Sequence, residues 1–155
     1  MFKKIKETKN LPPEPYLIWD GNCGFCKYWK TNWQKKVKNK VVFKTYQETA
    51  DFFNDIPLKE FKKSSKLIEP SGKIYNGPDS AYRILYHANK PYWHQLYQNS
   101  STFRWLSDHA YNHIAKNRSF YYKLTIFCFG KNPLKLKPYF LLYILLFAVL
   151  LFISI

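Results

Sequence analysis

The sequence predicts a mixed α/β (α+β) domain, a small sheet with helices packed on it, followed by one hydrophobic C-terminal helix. Three observations carry that expectation: a strand-helix-strand pattern over residues 16–46, a turn-centred strand pair near residues 66–75, and an uncharged apolar run at 139–155. Its 155 residues suit one domain of about 100–200 residues plus a short extra element. That length supports a hydrophobic core without disulfide stapling, and three cysteines would not supply a framework. Apolar residues make up 46% and aromatic ones 20%, which excludes a disordered or collagen-like chain.

Residues 1–14 read as an extended lead-in. The first ten positions carry lysines, but only Leu11-Pro12-Pro13-Glu14-Pro15 follows them, so a secretory signal is not expected. Tyr16-Leu17-Ile18-Trp19-Asp20 is a short apolar run ending at Gly21, which suits a buried strand. Residues 23–38 read as a helix, because Phe25, Trp29, Trp33 and Val37 recur every four positions while Lys27, Lys30, Lys35 and Lys36 stay off that stripe. Val41-Val42-Phe43-Lys44-Thr45-Tyr46 is β-branched and aromatic and makes a second strand. A βαβ unit this compact implies parallel pairing and a right-handed crossover.

Pro57 is expected to open a short helix over 57–63. Pro70-Ser71-Gly72 between Lys66-Leu67-Ile68-Glu69 and Lys73-Ile74-Tyr75 is hairpin chemistry. Pro78 opens a helix through about Ala88, and helical stretches follow near 92–98 and 102–116. Residues 118–137 read as a basic, aromatic connector, with 131–137 as its juxtamembrane end. The order β-α-β, short helix, hairpin, helices is that of a thioredoxin-like core with helical elaboration over residues 15–130.

The final run predicts a transmembrane helix over 138–155. Seventeen uncharged residues, all apolar but Ser154, make roughly 26 Å of helix, against about 30 Å of bilayer hydrocarbon; a buried core helix is the alternative. Lys123, Lys131, Lys135 and Lys137 precede the run and no cation follows it. By the positive-inside rule this orientation leaves the folded domain in the cytoplasm, tethered to membrane lipid as a single-pass protein.

The chemistry concentrates in Asp20-Gly21-Asn22-Cys23-Gly24-Phe25-Cys26. A CxxC between the first strand and first helix of a βαβ unit is the placement of a thiol redox centre. Asn22 can cap the helix, which leaves Cys23 at its first turn, where free N–H groups and the helix dipole favour a thiolate. Cys26 lies one turn deeper on the same side and can attack a mixed disulfide formed at Cys23. Cys23 is therefore the candidate nucleophile and Cys26 the resolving thiol, while Gly21 and Gly24 leave room for a substrate backbone. Asp20 has two compatible roles, accepting the proton of the buried thiol or bonding backbone N–H groups in the turn. Rival readings are a zinc site built from Cys23, Cys26, His109 and His113, or ordinary buried thiols.

Trp19-Asp20-Gly21-Asn22-Cys23-Gly24-Phe25-Cys26 resembles the Asp-Gly-x-Cys-x-x-Cys signature of the DCC family of thiol–disulfide oxidoreductases. Further similarities are the strand ending at Gln47, Gly72-Lys73-Ile74-Tyr75 leading to Ser80-Ala81, and Tyr111-Asn112-His113-Ile114-Ala115-Lys116-Asn117-Arg118. The resemblance covers about residues 15–130. It implies a thioredoxin-like fold and redox chemistry at the aspartate and two cysteines that name the family, here Asp20, Cys23 and Cys26. Unlike thioredoxins, the chain has Ser64-Ser65 rather than a proline before its third strand, and Phe25 between the cysteines.

Asn117-Arg118 reads as a helix end or an anion contact, and Cys128 as an apolar filler or juxtamembrane thiol. The net charge of +15 has two readings, attraction to anionic lipid or solvated lysine-rich faces. No recognisable nucleic-acid module accompanies it. The function expected is dithiol–disulfide exchange with a protein or small-molecule disulfide, with no cofactor and no metal. The alternative is a non-enzymatic accessory module.

Overall fold

The structure, a computed structural model, describes residues 1–153. Strand β1 (Tyr16–Trp19) runs into helix α1 (Gly24–Val37), which returns through β2 (Val42–Thr45). Helices α2 (Tyr46–Thr49) and α3 (Leu58–Lys63) lead to a hairpin of β3 (Lys66–Ile68) and β4 (Ile74–Asn76). Helices α4 (Pro78–His87), α5 (Tyr92–Asn99), α6 (Ser101–Lys116), α7 (Arg118–Phe129) and α8 (Tyr139–Ile153) complete the described chain. The sheet order is β2-β1-β3-β4. β1 pairs parallel with β2, and the β1–β3 and β3–β4 pairs are antiparallel. This is a mixed α/β fold with a small four-stranded sheet, as the periodicity of residues 16–46 and the turn at 70–72 predict.

Alternation along the strands builds two apolar layers. Leu17, Leu67 and Tyr75 are register partners across three strands, and they cluster with Val37 of α1 and Ile84 of α4. Ile18, Ile68 and Ile74 face the other way, onto Phe53, Ile56 and Phe61 around α2 and α3. The sheet is thereby clamped from both sides, and the C-terminal end of β1 is held at a fixed distance from α1. Burying a Leu- or Phe-sized side chain stabilises by about 1.5–3 kcal/mol, so these two layers are the main source of rigidity beneath the CxxC.

The hairpin turn forms with Gly72 at φ +82°. A Cβ there would sit 2.5 Å from the Thr8 carbonyl oxygen, so both the backbone angle and the contact exclude larger residues. That contact belongs to the N-terminal segment, which lies against the hairpin edge. Ile74 N–H donates to the Lys6 carbonyl at 2.8 Å and Thr8 N–H to the Gly72 carbonyl at 2.9 Å. Phe2 is buried against Tyr111, and Lys4 pairs with Asp108 of α6.

Two expectations are corrected. Residues 118–129, read as part of a connector, form helix α7, whose aromatic side chains pack on α1. The Tyr122 ring lies against Gly24, and the Tyr28 hydroxyl donates to the Gly130 carbonyl at 2.9 Å. Tertiary contact rather than helix propensity makes this element, since four of its first five residues are Ser and aromatics. The second correction concerns the tail. Helix α8 is described over 15 residues, which is about 22 Å, short of about 30 Å of hydrocarbon. No helix among the described residues is long and apolar enough to cross a membrane, while Ser154 and Ile155 lie outside the described residues. The expected single-pass, lipid-tethered protein with a cytoplasmic domain is overturned. Instead α8 folds back on α7: Phe127 stacks on Tyr143 with ring centroids 4.4 Å apart, and Phe129 meets Phe140 at 5.7 Å.

Candidate active site

β1 delivers Asp20 just past its C-terminal end, and a short turn carries the chain into α1. The Asp20 carboxylate organises that turn. Its Oδ1 accepts from Asn22 N–H at 3.1 Å and from Gln47 Nε2 at 3.1 Å, and its carbonyl accepts from Cys23 N–H at 3.1 Å. Gln47 answers with its own oxygen, which accepts from Gly21 N–H at 3.1 Å. Asn22 is consequently drawn into the turn and does not cap the helix. Cys23 takes the cap position instead, extended at φ −99° and ψ 110°, and its Sγ accepts from Cys26 N–H at 3.1 Å. The difference from the sequence expectation is one residue, and its effect is chemical. The sulfur itself now receives one of the helix's free N–H groups.

Both cysteines are half-buried free thiols. The Cys26 thiol donates to the Cys23 sulfur, and this hydrogen bond is the largest influence lowering the Cys23 pKa to about 6. Burial opposes it; the Cys26 N–H and the nearby Arg118 guanidinium reinforce it, and Asp20 weakly counters. Cys26 is pushed far up by the same hydrogen bond, then by burial and by the negative charge of Cys23. The pair thus separates into a thiolate at neutral pH and a protonated neighbour poised against it.

Arg118 is the site residue that local sequence reasoning assigned elsewhere. It opens α7, yet its Nη1 donates to Asp20 Oδ2 at 3.2 Å, and Nη2 donates to the Lys62 and Lys63 carbonyls at 3.0 and 3.3 Å. One guanidinium therefore ties the end of β1, the end of α3 and the start of α7 together beside the two sulfurs. The Tyr111-to-Arg118 run was the available signal, because it is one of the stretches on which the family resemblance rests. Asn117 behaves as a helix end, its Nδ2 donating to the His113 carbonyl at 2.8 Å. With Arg118, Asn22 and Gln47 in place, both oxygens of Asp20 are engaged, and the carboxylate serves the turn.

Ser65, at the position before β3, gives its N–H to the Tyr111 hydroxyl at 3.0 Å. That backbone donor is occupied from within. The room beside the two glycines is filled as well: a Cβ on Gly21 would come within 2.9 Å of Thr45 Cγ2, and one on Gly24 within 3.3 Å of the Tyr122 ring. Their absence of side chains therefore seats the protein's own residues, in place of the substrate backbone expected from the sequence. The zinc alternative finds no support among the described residues, where no three His, Cys, Asp or Glu groups gather as a metal site. The His109 ring instead bonds the Trp105 carbonyl at 2.8 Å, and His113 packs on Tyr121.

Two cavities adjoin the pair and share Asp20, Phe25 and Arg118 in their walls. The smaller, of about 260 Å³, is polar and is lined by Cys23 together with Asn22, Ser119 and Tyr122. The larger, of about 510 Å³, is lined by Cys26 and is almost wholly apolar and aromatic. Cys128 lines the larger one too. Each thiol therefore has its own approach.

A strand-to-helix CxxC with a low-pKa cap cysteine, a protonated partner and a cationic anchor defines a thiol redox domain. The comparisons with known proteins agree at family level. The model of the DCC1-like thiol-disulfide oxidoreductase family matches residues 17–124, more than half of the chain, and the chain belongs to that family. No curated protein and no solved structure matches it.

Proposed function

We propose that the protein exchanges disulfides through Cys23 and Cys26, with Cys23 as nucleophile, Cys26 as resolving thiol and a protein or small-molecule disulfide as substrate. The observation that carries this reading is the Cys23 sulfur at a helix cap, receiving the Cys26 N–H at 3.1 Å with its pKa lowered to about 6. At neutral pH the thiolate is present without a separate base, and thiolate is the attacking species.

The steps follow from that asymmetry. Cys23 attacks one sulfur of the substrate, forming a mixed disulfide and releasing the first substrate sulfur as a thiolate that takes a proton from solvent. The Cys23 charge is then gone, and with it the two influences of Cys23 that hold the Cys26 proton in place. Arg118, which favours ionisation of Cys26, remains. Cys26 loses its proton to solvent, attacks Cys23 Sγ, and expels the second substrate thiolate. Two electrons have passed to the substrate, and the pair is left as a disulfide. Asp20 contributes by holding the turn and Arg118 in register.

Insulin reduction tests the assignment. Cys23→Ser is expected to abolish turnover, and Cys26→Ser to accumulate a mixed disulfide at Cys23 visible by mass spectrometry. Turnover at the wild-type rate in both variants would refute it.

A further inference from the structure

Disulfide exchange at Cys23 makes no use of the larger cavity, and its walls have a composition of their own. Trp29 and Trp33 of α1, Tyr82 of α4, and Tyr121 and Phe129 of α7 line it, along with Leu17 from the sheet. Asp20, Ser65, Tyr111 and Arg118 belong to its polar lining. Arg118 bonds Asp20 at 3.2 Å, Tyr111 bonds Ser65 at 3.0 Å, and both Arg118 and Tyr111 lie close enough to feel the charge of Cys26. The other charged wall residue, Lys30, carries its ammonium over the rings of Trp19 and Phe43.

Apolar cavities of about 150 Å³ already take up benzene-sized molecules, and small-molecule sites commonly run from about 300 to 1,000 Å³. At about 510 Å³ this chamber suits a fused bicyclic ring with a short substituent. Its aromatic walls favour a flat body. The guanidinium and phenol beside Cys26 favour a ligand whose acceptor oxygen reaches that end. A planar apolar molecule with carbonyl oxygens that exchanges two electrons with a dithiol is a quinone.

We infer that the chamber is a binding site for a lipophilic quinone, which oxidises the thiol pair from the Cys26 side after a substrate dithiol, in the reverse of the exchange above, has reduced it. The inference rests on the thiol–disulfide reading above, because the electrons come from the same two sulfurs. In the step, the Cys23 thiolate and the Cys26 thiol become one S–S bond. The quinone gains the two electrons, one proton from Cys26 and one from solvent, and leaves as hydroquinone. The two cavities then divide the work: substrate thiols and disulfides meet Cys23 through the polar cavity, and the quinone meets Cys26 through the apolar one.

The test uses 2,3-dimethyl-1,4-naphthoquinone, whose blocked ring positions prevent simple thiol addition. Full-length protein, reduced, freed of reductant and kept anaerobic, is expected to yield one hydroquinone per chain with formation of the Cys23–Cys26 disulfide. Binding is read separately, by quenching of tryptophan fluorescence in the redox-inactive Cys26→Ser protein. Leu85→Trp, which fills the chamber, is expected to weaken that binding at least tenfold when introduced into the Cys26→Ser protein. Wild-type protein that reduces insulin but neither binds nor reduces the quinone overturns this inference and leaves disulfide exchange standing. Protein that turns over neither compound overturns both. Should Leu85→Trp fail to fold, saturable quenching in Cys26→Ser alone supports the site, and quenching that only rises linearly with quinone refutes it.

Discussion

Replacing Cys26 with alanine isolates the interaction that sets the reactivity of Cys23. The substitution deletes the S–H donor and leaves the backbone N–H of residue 26, which still reaches Cys23 Sγ at 3.1 Å. The S–H bond is the largest influence holding the Cys23 pKa at about 6. A hydrogen bond to a charged group contributes about 1.5–3 kcal/mol, and one pKa unit corresponds to about 1.4 kcal/mol. The Cys23 ionisation midpoint is therefore expected to climb by roughly one to two pH units. Below its midpoint the sulfur is protonated and unreactive, so the window of alkylation shifts to higher pH in the variant. The assay is the rate of iodoacetamide labelling at Cys23 against pH, quantified on the Cys23 peptide by mass spectrometry so that Cys128 does not contribute. Cys26→Ser, which retains a donor in the form of a hydroxyl, should fall between wild type and Cys26→Ala. An unchanged midpoint in Cys26→Ala would refute the hydrogen bond as the cause. It would leave the cap geometry and Arg118 to account for the whole effect.

The remaining predictions probe the frame around the pair. Arg118→Gln removes a charge that favours the thiolate and the donor to Asp20 Oδ2. The Cys23 midpoint should rise, by less than in Cys26→Ala, in the same labelling assay. Gly72→Ala forces a side chain onto a residue at φ +82° and against the Thr8 carbonyl. A cost above roughly 1 kcal/mol is expected, seen in thermal melts as a drop of at least about 2–4 °C. Leu17→Ala opens a fully buried position in the layer under α1 and should cost about 2–5 kcal/mol in chemical denaturation.

The parts of the fold that could be read in advance are those whose signals are local. The four-residue stripe from Phe25 to Val37, the β-branched run before Tyr46 and the Pro-Ser-Gly turn each specify their element from nearby residues. Helix α7 has no such signal. Ser119 and the aromatics after it are indifferent helix formers, and contact with Gly24 and Tyr28, far away in sequence, holds them in the helix. Helix α2 carries no periodic signal because it is a single turn, organised by Glu48, whose carboxylate accepts from Thr45 N–H and Oγ1 at 2.9 Å each. The tail misled for a different reason. An apolar run identifies what must avoid water without saying how much of it becomes one helix, and α8 is described over 15 residues.

The candidate site divides in the same way. Cys23 and Cys26 are three residues apart, so helix geometry alone places them together. The one-residue difference in the cap arose from a side chain, since Asp20 drew the Asn22 N–H into its own turn. Arg118 lies 98 residues from its carboxylate partner, a separation no spacing rule bridges. Its position became visible only when the end of α3 and the start of α7 were placed beside the sulfurs.

The central claim is that Cys23 is the ionised sulfur at neutral pH and Cys26 its protonated companion. Limited labelling of the reduced wild-type protein at pH 7 with substoichiometric iodoacetamide, followed by peptide mapping, measures that directly. Modification should fall on Cys23 first, with Cys26 essentially untouched. Equal labelling of the two, or preference for Cys26, would contradict it.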